Sequence, residues 1–372
     1  MYRKREFIPF TGDQSSIAAN LDAAYGQLAD VRRELNELPV TMGWVRRGGL
    51  EYLSVKQTSS DNGTTKGARS IETERIFNEF TERKTELKTR VASLARVVAE
   101  RASQFRATRR LPLLQDEQAQ LLRELDYAGL LATDLMVVGT NAFAAYEMAC
   151  RARFPVGNEA TLDFDLAWCR GTSISLATRN SAQTSAPAGH PGKGHTLLGV
   201  LRSINSSYAI NRKKPYQAVN SDGYEVELLA APSTHPLPKE NAFEPMATLV
   251  EQEWLLKGSP IATVVATQRN NACPLFVPDP RWMSVHKLWL SRKPERNPQK
   301  RDKDARQGNV LLDATRYFLG DSHPLDLDFV FDLPMELRDI FAQWAESRRH
   351  DPGDPGANPE GASPPEATPA RP

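Results

Sequence analysis

Three short stretches decide the fold expected of this chain: residues 137–141 read Val-Val-Gly-Thr-Asn, residues 163–166 read Asp-Phe-Asp-Leu, and residues 225–228 read Glu-Val-Glu-Leu. The first ends an apolar run of strand length, stops at a glycine and precedes a helical pattern. The other two alternate acidic with apolar residues, as a strand with one polar face does. The sequence therefore predicts a strand, a tight turn and a helix, followed by two acidic strands.

The acidic residues of the two later stretches suit a divalent cation. Asp163 and Asp165 project from one face of a strand, about 6.6 Å apart along the chain, while Phe164 points to the core. Two carboxylates on one face repel each other unless a cation neutralises them. Glu227, or as the weaker alternative Glu225, completes an oxygen-rich site of the kind that Mg²⁺ or Mn²⁺ prefers. Taken alone, Asp-x-Asp is also typical of a solvated strand end, so the order of the three stretches is what favours a metal site.

The glycine turn supplies the other half of the predicted site. Gly139 lets the backbone approach a triphosphate, Thr140 offers a hydroxyl, and Asn141 continues into a helix whose first amides point at the anion. In a two-metal site, with ions about 3.5 to 4 Å apart, one ion activates an attacking hydroxyl and the other stabilises the leaving pyrophosphate. The combination predicts nucleotidyl transfer from an NTP, with the two aspartates and the glutamate as metal-binding and catalytic residues.

These motifs resemble the nucleotidyltransferase fold of the DNA polymerase beta superfamily. Residues 139–147, Gly-Thr-Asn-Ala-Phe-Ala-Ala-Tyr-Glu, and 160–166, Ala-Thr-Leu-Asp-Phe-Asp-Leu, are similar to a bacterial family of nucleotidyltransferase-fold proteins. Residues 69–74, Arg-Ser-Ile-Glu-Thr-Glu, and 286–288, His-Lys-Leu, belong to the same resemblance, which extends from the first helix to about residue 345. The resemblance implies the α+β class: a polymerase beta-like palm with a mixed sheet, flanked by N-terminal and C-terminal helical regions.

The chain departs from the superfamily pattern in three ways. Gly139-Thr140 stands where Gly-Gly or Gly-Ser is usual, the acidic pair lies farther from the turn, and the third acid is Glu instead of the commoner Asp. Threonine keeps the hydroxyl, and a longer helix-to-strand loop accommodates the extra residues. A catalytically inactive module that binds nucleotide or nucleic acid is therefore the alternative to a transferase. A metal-dependent nuclease using the same carboxylates is a third hypothesis.

A basic segment beyond the palm resembles a part of abortive-infection nucleotidyltransferase toxins, which carry a lysine and a Lys-Asp pair in similar order. By this resemblance Lys287 contacts phosphate, and Asp304 assists the chemistry or the nucleotide. Residues 281–306 contain nine Lys and Arg against three Asp and Glu, a pattern as typical of a triphosphate or RNA site as of a solvated surface. Analogy with the toxins favours RNA, particularly a transfer-RNA end, as the acceptor, and protein or small-molecule acceptors stay open.

The rest of the chain predicts the domain organisation. Apolar residues at helical spacing predict helices over residues 17–38, 76–105, 116–125, 284–291 and 309–319, with a turn region around Asp61-Asn62-Gly63 between the first two. We therefore expect an N-terminal helical region (1–133), a palm domain (134–235), a C-terminal helical region (236–345) and a disordered tail (346–372). From His350 onward the tail has seven prolines and no Leu, Ile, Val or aromatic residue, which is too little apolar surface to offset the entropy of ordering.

The composition is that of a globular protein and excludes several classes. The formal net charge of +1 argues against a basic nucleic-acid coat or an acidic tail protein. Three widely spaced cysteines indicate neither a disulfide framework nor a structural zinc site. No run approaches the roughly 18 apolar residues of a membrane span, and no apolar leader follows Met1, so no membrane partner and a cytoplasmic location are expected.

Overall fold

The computed structural model describes residues 2–57, 62–108, 110–155, 163–169, 197–234 and 250–348, with the backbone alone for Asp163, Phe164 and Trp168. Its helices are α1 (Gly12–Glu37), α2 (Ile71–Ala107), α3 (Asp116–Tyr127), α4 (Phe143–Cys150), α5 (Leu197–Ile204), α6 (Pro280–Leu290), α7 (Pro298–Phe318), α8 (Leu327–Asp332) and α9 (Met335–Glu346). Its strands are β1 (Ile8–Pro9), β2 (Thr41–Arg47), β3 (Leu50–Lys56), β4 (Thr64–Ala68), β5 (Leu113–Leu114), β6 (Leu135–Val137), β7 (Ala152–Arg153), β8 (Asp163–Trp168), β9 (Ala209–Asn211), β10 (Lys214–Val219), β11 (Glu225–Ala230), β12 (Ile261–Thr267) and β13 (Ala272–Val277). The protein is thus α+β, as predicted; the tail from residue 349 onward lies outside the described residues.

Two long helices, α1 and α2, pack against each other and confirm the first two predicted helices. Each begins at a hydroxyl side chain that satisfies a backbone amide of the first turn. The Thr11 side chain accepts a hydrogen bond from the Gln14 amide at the start of α1. The Ser70 side chain accepts one from a first-turn amide of α2. Leu28 of α1 and Val91 of α2 are buried in the main core. The apolar face of each helix is therefore the one that its sequence spacing indicates.

Three strands lie between these helices, where the sequence predicts only a turn region. Strands β2, β3 and β4 form an antiparallel sheet. Gly48 and Gly49 both have positive φ in the turn that joins β2 to β3, a conformation that glycine adopts without steric cost. Trp44 packs on Phe77 of α2 with their ring centroids 5.8 Å apart. The predicted turn is consistent with Asn62 and Gly63, which lie between β3 and β4, but the strands around it were not predicted, because much of this sheet is solvent-exposed and no apolar run marks its strands.

A second three-stranded sheet lies partly in the region predicted to be helical. Strand β12 runs antiparallel to β13 and parallel to β5. All residues of β13 are buried, and a fully buried strand shows no alternation of apolar and polar residues. The C-terminal region is thus mixed, although α6 and α7 confirm the helices predicted there.

The five-stranded sheet has the order β6-β8-β11-β10-β9 and carries the acidic strands. Strand β11 is parallel to β8, whereas β6 is antiparallel to β8 and β10 is antiparallel to β11, so the sheet is mixed. Leu166, Val226 and Leu228 are fully buried on one face. Glu225 and Glu227 alternate with these apolar residues and are half-buried. The predicted alternation in β11 is confirmed.

Helices α6 to α9 pack around a second hydrophobic cluster, which includes Trp254, Trp282, Trp289 and Trp344. Helices α6 and α7 cross closely at Gly308, where an added Cβ would lie 2.7 Å from Cγ of Leu288. The cysteines are buried free thiols. Within the described ranges, no helix combines the length and the apolar character that crossing a membrane requires.

Candidate active site

The acidic residues of β8 and β11 lie opposite one another in the sheet. Glu227 is in register with Asp165, and Glu225 is in register with Asp163. Adjacent strands are about 4.8 Å apart, and residues in register share a face of the sheet. Like charges in such positions destabilise a sheet when nothing compensates them. The structure therefore brings together the two acidic stretches that the sequence singles out. For Asp163 this rests on the register of its backbone alone.

The glycine turn lies directly against one of these acids. The Val138 amide donates a hydrogen bond to the Asp165 carbonyl oxygen at 3.1 Å. Gly139 has φ +70°, and a Cβ at this position would overlap Oδ2 of Asp165 and lie 3.4 Å from its Cγ. Both the backbone conformation and the space therefore require glycine here. The turn makes room for an acidic side chain, a reason for glycine that sequence reasoning did not supply.

Thr140 and Asn141 follow in a short 3-10 turn, Gly139–Ala142, that leads into α4. Each has only 8% of its surface exposed. The Thr140 hydroxyl accepts a hydrogen bond from Nε2 of Gln307, on α7, at 3.4 Å. The hydroxyl predicted to face a nucleotide is therefore also a link between the sheet and the C-terminal helices.

On the other side of Glu227, a fully buried glutamine contacts the acids of β11. Gln217 lies in register with Glu227 on β10. Its Nε2 donates to Oε1 of Glu227 at 2.9 Å and to Oε2 of Glu225 at 2.7 Å. Its Oε1 accepts from Nδ2 of Asn211 at 2.7 Å. A polar row thus crosses the sheet from Asp165 through Glu227 and Gln217 to Asn211.

Lys287 of α6 and Asp304 of α7 form a buried ion pair, with Nζ and Oδ1 2.8 Å apart. Nε of Arg296 binds the other oxygen of the same carboxylate. Asp304 precedes Gln307 by three residues, so the two share a face of α7. The ion pair therefore lies one turn along α7 from the residue that contacts Thr140. The phosphate contact expected of Lys287 and the part expected of Asp304 in the chemistry stay predictions.

The neighbouring histidine is a packing residue. Neither ring nitrogen of His286 has a hydrogen-bond partner within the described part of the chain. Burial, followed by the positive charge of Lys287, lowers the pKa of His286 to about 3. The ring packs against both Trp254 and Trp289. The imidazole is therefore neutral at neutral pH, so His286 is a packing residue of the tryptophan cluster and not an imidazolium acid.

A family model described as Nucleotidyltransferase matches residues 116–328, more than half of the chain. The chain belongs to this nucleotidyltransferase family. The matched segment of the nucleotidyltransferase runs from α3 to the start of α8. It includes the whole five-stranded sheet, the glycine turn and the α6–α7 pair. No curated protein and no solved structure matches the nucleotidyltransferase in the other two comparisons.

The acids of the nucleotidyltransferase fit a hard divalent cation by their chemistry. Asp165 and Glu227 offer carboxylate oxygens from adjacent strands, the donors that Mg²⁺ prefers. Among the side chains that the structure describes, which exclude that of Asp163, no group of three or more His, Cys, Asp or Glu is placed to bind a metal ion. The assignment of Asp163, Asp165 and Glu227 as metal ligands therefore stays a prediction.

Sequence reasoning missed Gln217, Asn211 and Gln307 in the nucleotidyltransferase. None belongs to a motif, and a glutamine in a strand is a common surface residue. The one indication for Gln217 is that it lies in register with Glu227, and this is known only once β10 is known to pair with β11. For Gln307, the surrounding sequence indicates a helix and nothing about a contact with Thr140.

Proposed function

We propose that this protein is a Mg²⁺-dependent enzyme that transfers a nucleoside monophosphate from an NTP to a hydroxyl group, with RNA as the acceptor. The observation that carries the proposal is the position of Asp165, which has the glycine turn on one side and Glu227 in register on the other. Membership of the nucleotidyltransferase family supports nucleotide transfer. The divalent ion, the acceptor and the polymerase beta-like relationship are the proposed part.

The carboxylates of Asp163, Asp165 and Glu227 would hold the divalent ions. When bound, such ions neutralise phosphate charge and favour ionisation of the acceptor hydroxyl. The backbone amides of the glycine turn receive the triphosphate, because helix starts present unpaired N–H groups. The acceptor oxygen forms a bond to the α-phosphorus, the bond from this phosphorus to the β-phosphate oxygen breaks, and pyrophosphate leaves with the electron pair. The acceptor's proton passes to a carboxylate of the site or to water.

The ion pair between Lys287 and Asp304 suits a lysine that exchanges partners. Arg296 also binds Asp304, so this carboxylate keeps a cationic partner if Lys287 turns to a phosphate. A buried acid left without any partner is costly, on the order of 3–5 kcal/mol. The double pairing therefore makes the phosphate contact proposed for Lys287 energetically accessible.

RNA is the proposed acceptor because of two features. The segment from Arg281 to Arg306 carries nine basic and three acidic residues, and an excess of cations binds the phosphates of a nucleic acid. The resemblance to abortive-infection toxins also favours RNA, and a transfer-RNA end in particular. A bacterial origin and a cytoplasmic location are further parts of the proposal that the resemblance and the composition support.

The test is transfer of label from α-³²P NTPs to total cellular RNA or protein, with Mg²⁺ or Mn²⁺ present. We expect labelled RNA, and we expect Asp165→Asn to lower the rate by at least about 100-fold, because even residues that only orient metal ligands contribute 10- to 100-fold. Asp222→Asn is the matched control, since Asp222 is an exposed acid in the turn before β11.

Three outcomes would contradict the proposal. Metal-dependent NTP binding without pyrophosphate release would favour the inactive binding module. Shortened RNA without incorporated label would favour a nuclease. Equal labelling by the wild-type protein and Asp165→Asn would remove Asp165 from the chemistry.

A further inference from the structure

The glutamine of β10 binds the acids of β11 through a neutral amide, whereas several other buried acids of this protein are paired with a cation. We propose that Gln217 is a positioning residue that fixes Glu225 and Glu227 for a divalent cation, and that Asn211 fixes Gln217 in turn. The inference rests on the proposed function in one respect, namely that a divalent cation belongs to this site.

The orientation of the Gln217 amide follows from its neighbours. An ionised carboxylate only accepts hydrogen bonds, so the amide nitrogen must face Glu225 and Glu227. Its two N–H groups then serve one carboxylate each, at 2.7 and 2.9 Å. The amide oxygen faces Asn211, whose Nδ2 donates to it at 2.7 Å. The amide of this fully buried Gln217 side chain is thus held at three points, and any rotation breaks a hydrogen bond.

This arrangement leaves one oxygen of each acid available. Gln217 binds Oε1 of Glu227 and Oε2 of Glu225. Within the described residues, no hydrogen bond reaches Oε2 of Glu227 or Oε1 of Glu225. Because Glu227 lies between β10 and β8, a hydrogen bond from the β10 side fixes the carboxylate without occupying the oxygen that a cation near Asp165 requires.

The neutrality of the amide is the decisive property. Several of the more deeply buried acids among the described residues have a cationic partner; these pairs are Asp126 with Arg33, Asp279 with Arg281, Asp304 with Lys287, and Asp313 with Arg348. Glu225 and Glu227 have no ion pair with any described residue and receive only amide hydrogen bonds. Gln217 therefore orients the two acids and leaves their negative charge uncompensated. Uncompensated carboxylates in register with two others favour a cation.

The experiment measures Mn²⁺ binding to the full chain by electron paramagnetic resonance. Gln217→Met keeps the length of the side chain and removes both donors, and we expect it to weaken Mn²⁺ binding by about 10- to 100-fold, the usual effect of removing a residue that orients metal ligands. Gln118→Met is the matched control, because Gln118 is a buried glutamine of α3 with no hydrogen bond to a carboxylate of the described residues. We expect this control to leave Mn²⁺ affinity unchanged.

A second variant separates positioning from structural support. Gln217→Lys retains donors and adds the kind of charge that Asp279, Asp304 and Asp313 receive, so we expect it to unfold at no lower denaturant concentration than Gln217→Met. Because the ammonium compensates the acids, we expect its Mn²⁺ affinity to fall at least as far as that of Gln217→Met. In the transfer reaction, Gln217→Met should raise the KM for the metal and leave kcat at saturating metal within about threefold, if the removed contacts act on metal binding alone.

The outcomes that overturn the inference are distinct from those that overturn the proposed function. Dissociation constants for both Gln217 variants within twofold of the wild type would defeat the positioning role, provided that Asp165→Asn weakens Mn²⁺ binding. A wild-type protein that binds no Mn²⁺, or binds it equally with and without Asp165, would defeat the metal site and the positioning role together.

Discussion

The buried glutamate of α4 predicts a stability that depends on pH. Glu147 has 1% of its surface exposed. Its Oε1 accepts from the Phe154 amide at 2.8 Å and lies 3.0 Å from Nε of Arg153. Its Oε2 is buried with no hydrogen-bond partner in the described part of the molecule. One oxygen is thus well satisfied and the other is not.

Burial is the main reason that the pKa of Glu147 rises from 4.5 to about 7, although Arg153 and the Phe154 amide lower it in part. A carboxyl whose folded pKa exceeds its unfolded value stabilises the fold at low pH, where it is protonated, and this stabilisation is lost as the pH rises through the folded value. At about 1.4 kcal/mol per pKa unit, the change between pH 4 and pH 8 is on the order of 3 kcal/mol. The free energy of unfolding from this group should therefore fall across that range.

Glu147→Gln removes the titration and keeps the shape of the side chain. The amide oxygen can accept from Phe154 and Arg153 as Oε1 does, while the amide nitrogen takes the place of the unpartnered oxygen. We expect the variant to be more stable than the wild type at pH 8 by about 1–3 kcal/mol, the lower values reflecting the weaker bond to Arg153 and an unpaired N–H. At pH 5 we expect the two proteins to differ by less than about 1 kcal/mol.

Urea unfolding followed by tryptophan fluorescence at pH 5, 6, 7 and 8 measures these differences. Glu124→Gln, at an acid on α3 that has no ion pair with a described residue, is the control for a general change in net charge. A difference between Glu147→Gln and the wild type that stays constant from pH 5 to pH 8 would refute the reasoning, because a group that does not titrate in this range cannot depress stability as described.

Two further predictions concern the glycine turn and the buried ion pair. Gly139→Ala should destabilise the fold by more than Gly129→Ala, measured by urea unfolding: both positions have positive φ, at a cost of about 1–2 kcal/mol, but only at Gly139 does the Cβ meet another residue, and equal losses would contradict the packing argument. Asp304→Ala should cost about 3–5 kcal/mol because it leaves Lys287 and a neighbouring arginine without their acid. Lys287→Met should cost less because Asp304 keeps one cation, and the reverse order in urea unfolding would contradict this account.

Strands β8 and β11 were predictable from sequence because each alternates acidic with apolar residues. The alternation of acids with Val226 and Leu228 on β11 has a period of two, and the glycine at the end of β6 marks the turn. Register was not predictable, since the pairing of Glu227 with Asp165 depends on strand order and not on either strand alone. For the same reason Gln217 could not be connected with the acids before β10 was placed beside β11.

The two three-stranded sheets were missed for different physical reasons. Strand β13 is a short, continuous apolar run and β12 is apolar apart from Thr263 and Thr267, and periodicity cannot assign such runs to helix or strand. Strands β2 to β4 are rich in Thr, Gly and charged residues, and only a few of their side chains, such as Leu53 and Val55, are buried. Local composition therefore resembles a loop, and tertiary packing decides the structure.

The parallel pairing of β8 with β11 also limits which insertions and deletions the gene can tolerate. Inserting one residue between Glu225 and Val226 would invert the sheet face of every later side chain on β11, turning Glu227 inward and Val226 outward. Inserting two residues would keep each side chain on its original face of the sheet, but it would shift the acids of β11 by two residues relative to β8. Insertions of an odd number of residues in this strand should therefore abolish activity, whereas insertions of an even number should only reduce it. A library of in-frame codon insertions would test this difference.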